Sequence, residues 1–154
     1  MWQRIQTLYL AIVVVLSTLQ IFLPVAGVMD ILNGEVYEYR LFHLINSTTG
    51  EVFLDSYFLP LLPAIIAVIA LVTIFLFNKR LLQIRLCVIN LVLALGYYGY
   101  LYYHLYVARE NFEQASIYYS MPASFQLINF VLLIMAIRAI GKDEALIRAM
   151  DRIR

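Results

Sequence analysis

Cysteine occurs once in the 154 residues, at Cys87, and histidine only twice, at His43 and His104. A lone cysteine excludes an intrachain disulfide, a CxxC redox pair and a cysteine-rich zinc site. Cys87 therefore reads as a small apolar packing residue. A bis-histidine haem would need both histidines on facing elements, and His43 lies in a polar segment. Neither a metal nor a cofactor is expected. Charge is scarce as well: 14% of residues are Asp, Glu, Lys or Arg, against roughly a quarter in soluble domains. The net charge is +1, so nothing global points to nucleic acid or an acidic substrate.

The chain is instead 64% apolar. A helix needs about 20 mostly apolar residues to cross a bilayer, and four stretches qualify: residues 7–28, 57–77, 84–106 and 119–140. "MWQR" before the first run resembles the start of a signal peptide. The run is long, no small-x-small cleavage site follows it, and further spans come later, so it reads as a retained helix. Nine of the eleven basic residues fall on one side: Arg4, Lys79, Arg80, Arg85, Arg138, Lys142, Arg148, Arg152 and Arg154. The other side holds Arg40 and Arg109 with seven carboxylates, Asp30, Glu35, Glu38, Glu51, Asp55, Glu110 and Glu113. The positive-inside rule then puts both termini in the cytoplasm, in agreement with an even number of spans. Asp55 or Ser56 is suited to cap the second helix, and Ser120 the fourth.

In the loop of residues 29–56, "VYEYRLFHLI" has strand composition, "NSTTG" is a turn cluster and "EVFLD" resumes the strand pattern. A short extracytoplasmic β-hairpin is predicted there. After Gly141, Leu146, Ile147, Met150 and Ile153 follow helical spacing with charges opposite, which predicts an amphipathic helix in the tail 141–154 that lies on the inner surface or continues as a cytoplasmic helix. The expected architecture is an all-α membrane protein: one integral domain, 1–154, built as an antiparallel four-transmembrane-helix bundle with that hairpin and that C-terminal helix. A contact of Arg4 with Asp151 or Glu144 is expected at the inner face.

The middles of the spans contain no Asp, Glu or Lys. That argues against a proton- or cation-coupled carrier, which needs an intramembrane carboxylate. Neutral polar residues remain: Ser17, Thr18, Gln20, Thr73, Asn90, Ser124, Gln126 and Asn129. An unpaired amide in hydrocarbon is costly, so these should face inward and bond between helices. The stretch "GYYGYLYYHLY", residues 96–106, holds six tyrosines and His104. An interfacial aromatic belt accounts for the outer ones. Tyr97 and Tyr98 lie deeper, beside Gly96 and Gly99. They outline a candidate ligand pocket of Tyr97, Tyr98, Tyr102, His104, Gln126, Asn129 and Asn90, with Gln126 and Ser124 as partners for inward hydroxyls. His104 beside Ser120 or Tyr103 lacks a carboxylate to orient it, so no catalytic constellation is recognisable.

The opening "MWQRIQTLYL", the turn "FNKRLLQIRLCVINLVL" and the ending "AIRAIGKDEALIRAMDRIR" together resemble a family of small inner-membrane proteins of Bacteroidota, domain of unknown function four-two-nine-three. The resemblance covers essentially the whole chain. It implies a bacterial inner membrane and four helices, and it transfers no chemistry. The polar residues of those segments direct attention to a candidate partner face at the cytoplasmic side: Arg4, Gln6, Lys79, Arg80, Arg85, Asp151 and Arg152. The expected function is non-enzymatic: assembly, scaffolding or regulation of another complex. Lipid or quinone binding by the tyrosine-rich half of span three is the alternative. The expected surroundings are the lipid bilayer and a protein partner, with no nucleic acid, and a homo-oligomer stays open.

Overall fold

The computed structural model describes residues 5–76 and 79–151. Four helices carry the long apolar runs: α1 Ile5–Phe22, α2 Phe58–Phe75, α3 Arg80–Glu110 and α4 Phe125–Asp151. All four are long and apolar enough to cross a membrane. α1 packs on α2 and α4, and α3 packs on the same two, which closes a ring. Each helix turns one narrow stripe inward. On α1 the stripe is Gln6, Leu10, Val13, Ser17 and Gln20, and on α3 it runs Gln83, Cys87, Asn90, Ala94 and Tyr97. The spacing of three and four residues keeps such positions on one face.

The chain is not an all-α bundle with a hairpin. Five strands form one antiparallel sheet in the order β4-β3-β2-β1-β5. They are β1 Ala26–Asp30, β2 Val36–Arg40, β3 His43–Asn46, β4 Val52–Asp55 and β5 Ala115–Tyr119. The expected hairpin around "NSTTG" exists as β3 and β4. The strand pattern before it, however, breaks into β2 and β3 at Leu41 and Phe42, where Leu41 takes φ +48°. β1 sits in what reads as the end of span one, because Pro24 has no N–H to continue α1. β5 sits in what reads as the approach to span four and pairs along all of β1.

α3 explains how the sheet is held. Its 31 residues extend roughly 46 Å, beyond a hydrocarbon core of about 30 Å. The inward stripe continues past Tyr97 through Leu101, Leu105 and Ala108. There it meets Val28, Tyr37, Tyr39 and Leu44 from one face of the sheet. One helix face thus serves the helix ring at one end and the sheet at the other.

Of the two courses open to the tail, it continues as helix: α4 runs unbroken through Gly141 to Asp151. The expected side-chain caps are corrected. Neither α2 nor the short 3-10 turn Met121–Ser124 before α4 has a side-chain cap. Tyr57 holds the cap position of α2, and Ser120 caps by backbone geometry alone.

Candidate functional site

The buried polar residues gather at two levels of the helix ring. Near the α2–α3 turn, the Gln83 amide donates to the Thr73 carbonyl at 2.8 Å, and the Thr73 hydroxyl donates to the Ile69 carbonyl at 2.6 Å. Nearer the sheet lies a fuller layer. Asn129 donates through Nδ2 to the Ser17 hydroxyl at 2.9 Å and to Gln126 Oε1 at 3.2 Å. One turn closer to the sheet on α1, the Gln20 amide interacts with the Tyr97 hydroxyl of α3, without hydrogen-bond geometry. One to two turns the other way, Asn90 donates to the Ile66 carbonyl at 3.1 Å. Gln20, Asn90, Tyr97, Gln126 and Asn129 are each 2% exposed or less.

Those bonds do not use up the polar atoms. Both amide atoms of Gln20, the Tyr97 hydroxyl, Asn90 Oδ1, Gln126 Nε2 and Asn129 Oδ1 are buried and find no hydrogen-bond partner among the described residues. A buried polar atom left unpaired costs about 1–3 kcal/mol. Six of them lie within about 10 Å along the helix ring, from Asn90 to Tyr97 on α3, and form the densest group of such atoms; Gln6 Oε1, Gln83 Oε1, His104 Nδ1 and the Tyr118 hydroxyl are the others among the described residues.

The candidate pocket is therefore only partly assembled. Tyr97, Gln126 and Asn129 face the same interior, with Asn90 at its lower margin. Tyr98 is half-buried and donates to the Ala123 carbonyl at 2.8 Å, tying α3 to the turn before α4. Tyr102 is 64% exposed and points away. His104 lies on a different face, its ring 4.5 Å from that of Tyr100 and 6.3 Å from that of Tyr39. Ser124 is exposed, and Gly96 and Gly99 have open space where a Cβ would stand, so neither glycine serves a close helix contact. Gln20 and Ser17 complete the layer. Their signal was the shared spacing with Gln6, Leu10 and Val13 on α1.

The candidate partner face at the other end is more dispersed. Lys79 and Arg85 are exposed, and Arg80 donates to the Asp143 carbonyl at 2.9 Å, clamping α3 to α4. Gln6 is buried, 3% exposed, and belongs to the interior rather than to a surface. Arg4, Arg152 and the Asp151 side chain lie outside the described residues, and so does the expected Arg4 contact.

The sheet has its own polar chemistry. The Asp30 carboxylate, 4% exposed, accepts from the Leu32 N–H at 3.0 Å and the Asn33 amide at 2.7 Å. Asn46 accepts from the Thr48 N–H at 2.8 Å and donates to Glu35 at 3.0 Å. Glu35 also receives the Tyr37 hydroxyl at 2.6 Å, and this bond to a carboxylate raises the Tyr37 pKa. Burial raises that of Tyr39, whose hydroxyl donates to the His104 carbonyl at 3.2 Å. Tyr118 crosses over Gly27 towards Glu38. Burial, and then the Glu38 charge, push its hydroxyl up to about 12.

A multi-span membrane protein with a β-sheet seated on the extension of one helix is the class that these features define. The chain belongs to the family described as Domain of unknown function (DUF4293), whose model matches residues 2–153. No curated protein matches the chain.

Proposed function

We propose that the chain is a non-enzymatic assembly module of a bacterial inner membrane, with both termini cytoplasmic, whose outer sheet docks a partner protein. The observation that carries this reading is the end of the sheet beside the end of α3. There Ile31 and Leu32 stand 57% and 58% exposed on the β1–β2 turn. That turn is rigid. Asp30 holds it from inside, the Gly34 N–H donates to the Asp30 carbonyl at 3.0 Å, and the Ile31 N–H donates to the Gln114 carbonyl at 2.9 Å. Val52, at the start of β4 on the same end of the sheet, adds a further exposed apolar side chain, 56% exposed. Large apolar side chains fixed in an exposed position mark an interaction site.

Charge selects the occupant. The sheet side carries seven carboxylates against Arg40 and Arg109. A second copy would bring the same negative excess, so the fitting partner presents basic residues beside an apolar cleft. The orientation rests on Lys79, Arg80, Arg85, Arg138 and Lys142 at the opposite end.

The test is a photo-crosslinking residue at position 32 in native membranes, with one at position 79 as comparison. The reading expects one adduct from position 32, lost with Ile31→Ser and weakened at high salt. Adducts from position 79 alone would move the partner to the cytoplasmic face and overturn it. A second reading, lipid or quinone binding, is favoured by the unpartnered groups around Tyr97.

A further inference from the structure

The six unpartnered atoms of the interior layer are nearly balanced. Gln20 Nε2 and Gln126 Nε2 donate, Gln20 Oε1, Asn90 Oδ1 and Asn129 Oδ1 accept, and the Tyr97 hydroxyl can do either. The balance survives an exchange of amide oxygen and nitrogen at Gln20, because both of its atoms are unpartnered. These groups carry no charge, so a cation or an anion would meet only half of a matching set. A guest that only accepts, such as a quinone carbonyl, would leave the three acceptors unpaired.

We propose that this layer binds a neutral hydroxyl group, or a small cluster of them, that donates and accepts at once. The proposal deepens the ligand-binding reading and does not depend on docking at the sheet. Two sources share this chemistry: trapped water, and the hydroxyl end of a membrane-soluble alcohol. Buried waters characteristically bridge otherwise unpaired polar groups in this way. The layer is closed on both sides. Leu10, Val13, Ala70, Cys87 and Leu133 form an apolar plug towards the α2–α3 turn. Leu59, Leu101 and Leu105 close it towards the sheet. The guest is therefore held rather than conducted.

Radiolytic hydroxyl-radical footprinting of the full chain in vesicles tests the proposal, with mass analysis of organic extracts from the same sample. Radicals formed from bound water label the side chains beside it. If water is the guest, Tyr97 is modified within about fivefold of the rate of Phe42, exposed on the sheet outside the spans, although Tyr97 is itself fully buried. Buried Tyr39, whose hydroxyl is already bonded, stays protected. If an alcohol is the guest, Tyr97 is protected and the extract contains one hydroxyl compound in stoichiometric amount. Either signal should fall about tenfold in Gln20→Leu with Gln126→Leu, which removes four polar atoms of the layer. Tyr97 protected as Tyr39 is, with no stoichiometric compound, overturns the proposal. Should the double variant fail to fold, the wild-type measurements alone decide.

Discussion

Buried side chains in the sheet and in the helix ring are treated differently. At one end of the sheet, Asp30 and Asn46 are 4% exposed and use both of their side-chain polar atoms. In the helix layer, Gln20 uses neither, and Asn90, Gln126 and Asn129 each use one of two. The two regions are equally dry, so burial alone does not account for the contrast. In the sheet these two side chains are spent on shaping turns, while the Tyr118 hydroxyl stays unpartnered. In the helices, amides face one another at a level where the chain supplies too few partners. Those two turns are finished by their own sequence, whereas the helix layer leaves six buried polar atoms for the guest we propose.

That contrast can be broken or sharpened in steps. The largest effect is expected at Gly27. A Cβ there would overlap the Tyr37 carbonyl oxygen and lie 2.5 Å from the Tyr118 hydroxyl. Gly27→Ala should destabilise the protein by about 3 kcal/mol, read from thermal unfolding in detergent. Asp30→Ala comes next, because it strips the Leu32 N–H and Asn33 of their acceptors. About 2 kcal/mol is expected, together with loss of crosslinking from position 32.

Alkaline pH should act on the sheet first. Tyr118 has a hydroxyl raised from 10.0 to about 12 by burial and Glu38. Its contribution to stability is complete below pH 10 and is lost as pH rises towards 12. Tyrosinate absorbance and unfolding should therefore rise together in that window, and Tyr118→Phe should narrow the loss. The smallest effect belongs to the helix layer. Gln126→Leu removes the unpartnered Nε2 along with one acceptor for Asn129. Asn129 keeps its bond to Ser17, so stability should stay within about 1 kcal/mol of wild type. A loss as large as that of Asp30→Ala would erase the contrast.

The helices were legible because a membrane-crossing helix needs a long apolar run and little else. Their ends were not. "VAGVM" at the end of the first run and "SIYY" before the fourth are apolar, and a strand buried on one face shares that composition with a buried helix. The break between β2 and β3 was hidden because Leu41 and Phe42 carry none of the usual turn residues. In the candidate site, Tyr97, Gln126, Asn129 and Asn90 were legible as polar groups that had to face inward. Tyr102 and His104 were misplaced for a specific reason. Helical spacing says which residues share a face of α3. It does not say which face the sheet and neighbouring helices will cover. Gln20 needed that same information from α1 before it could be set opposite Tyr97.

An experimental density map of the purified protein, sharp enough to show ordered water, would test the central claim most directly. The account predicts density within hydrogen-bonding distance of the Gln20 amide, the Tyr97 hydroxyl and Gln126 Nε2, and none competing with the paired atoms of Asp30 and Asn46. A map in which the Gln20 and Gln126 amides turn to bond Tyr97 and each other, with no density between them, would contradict it.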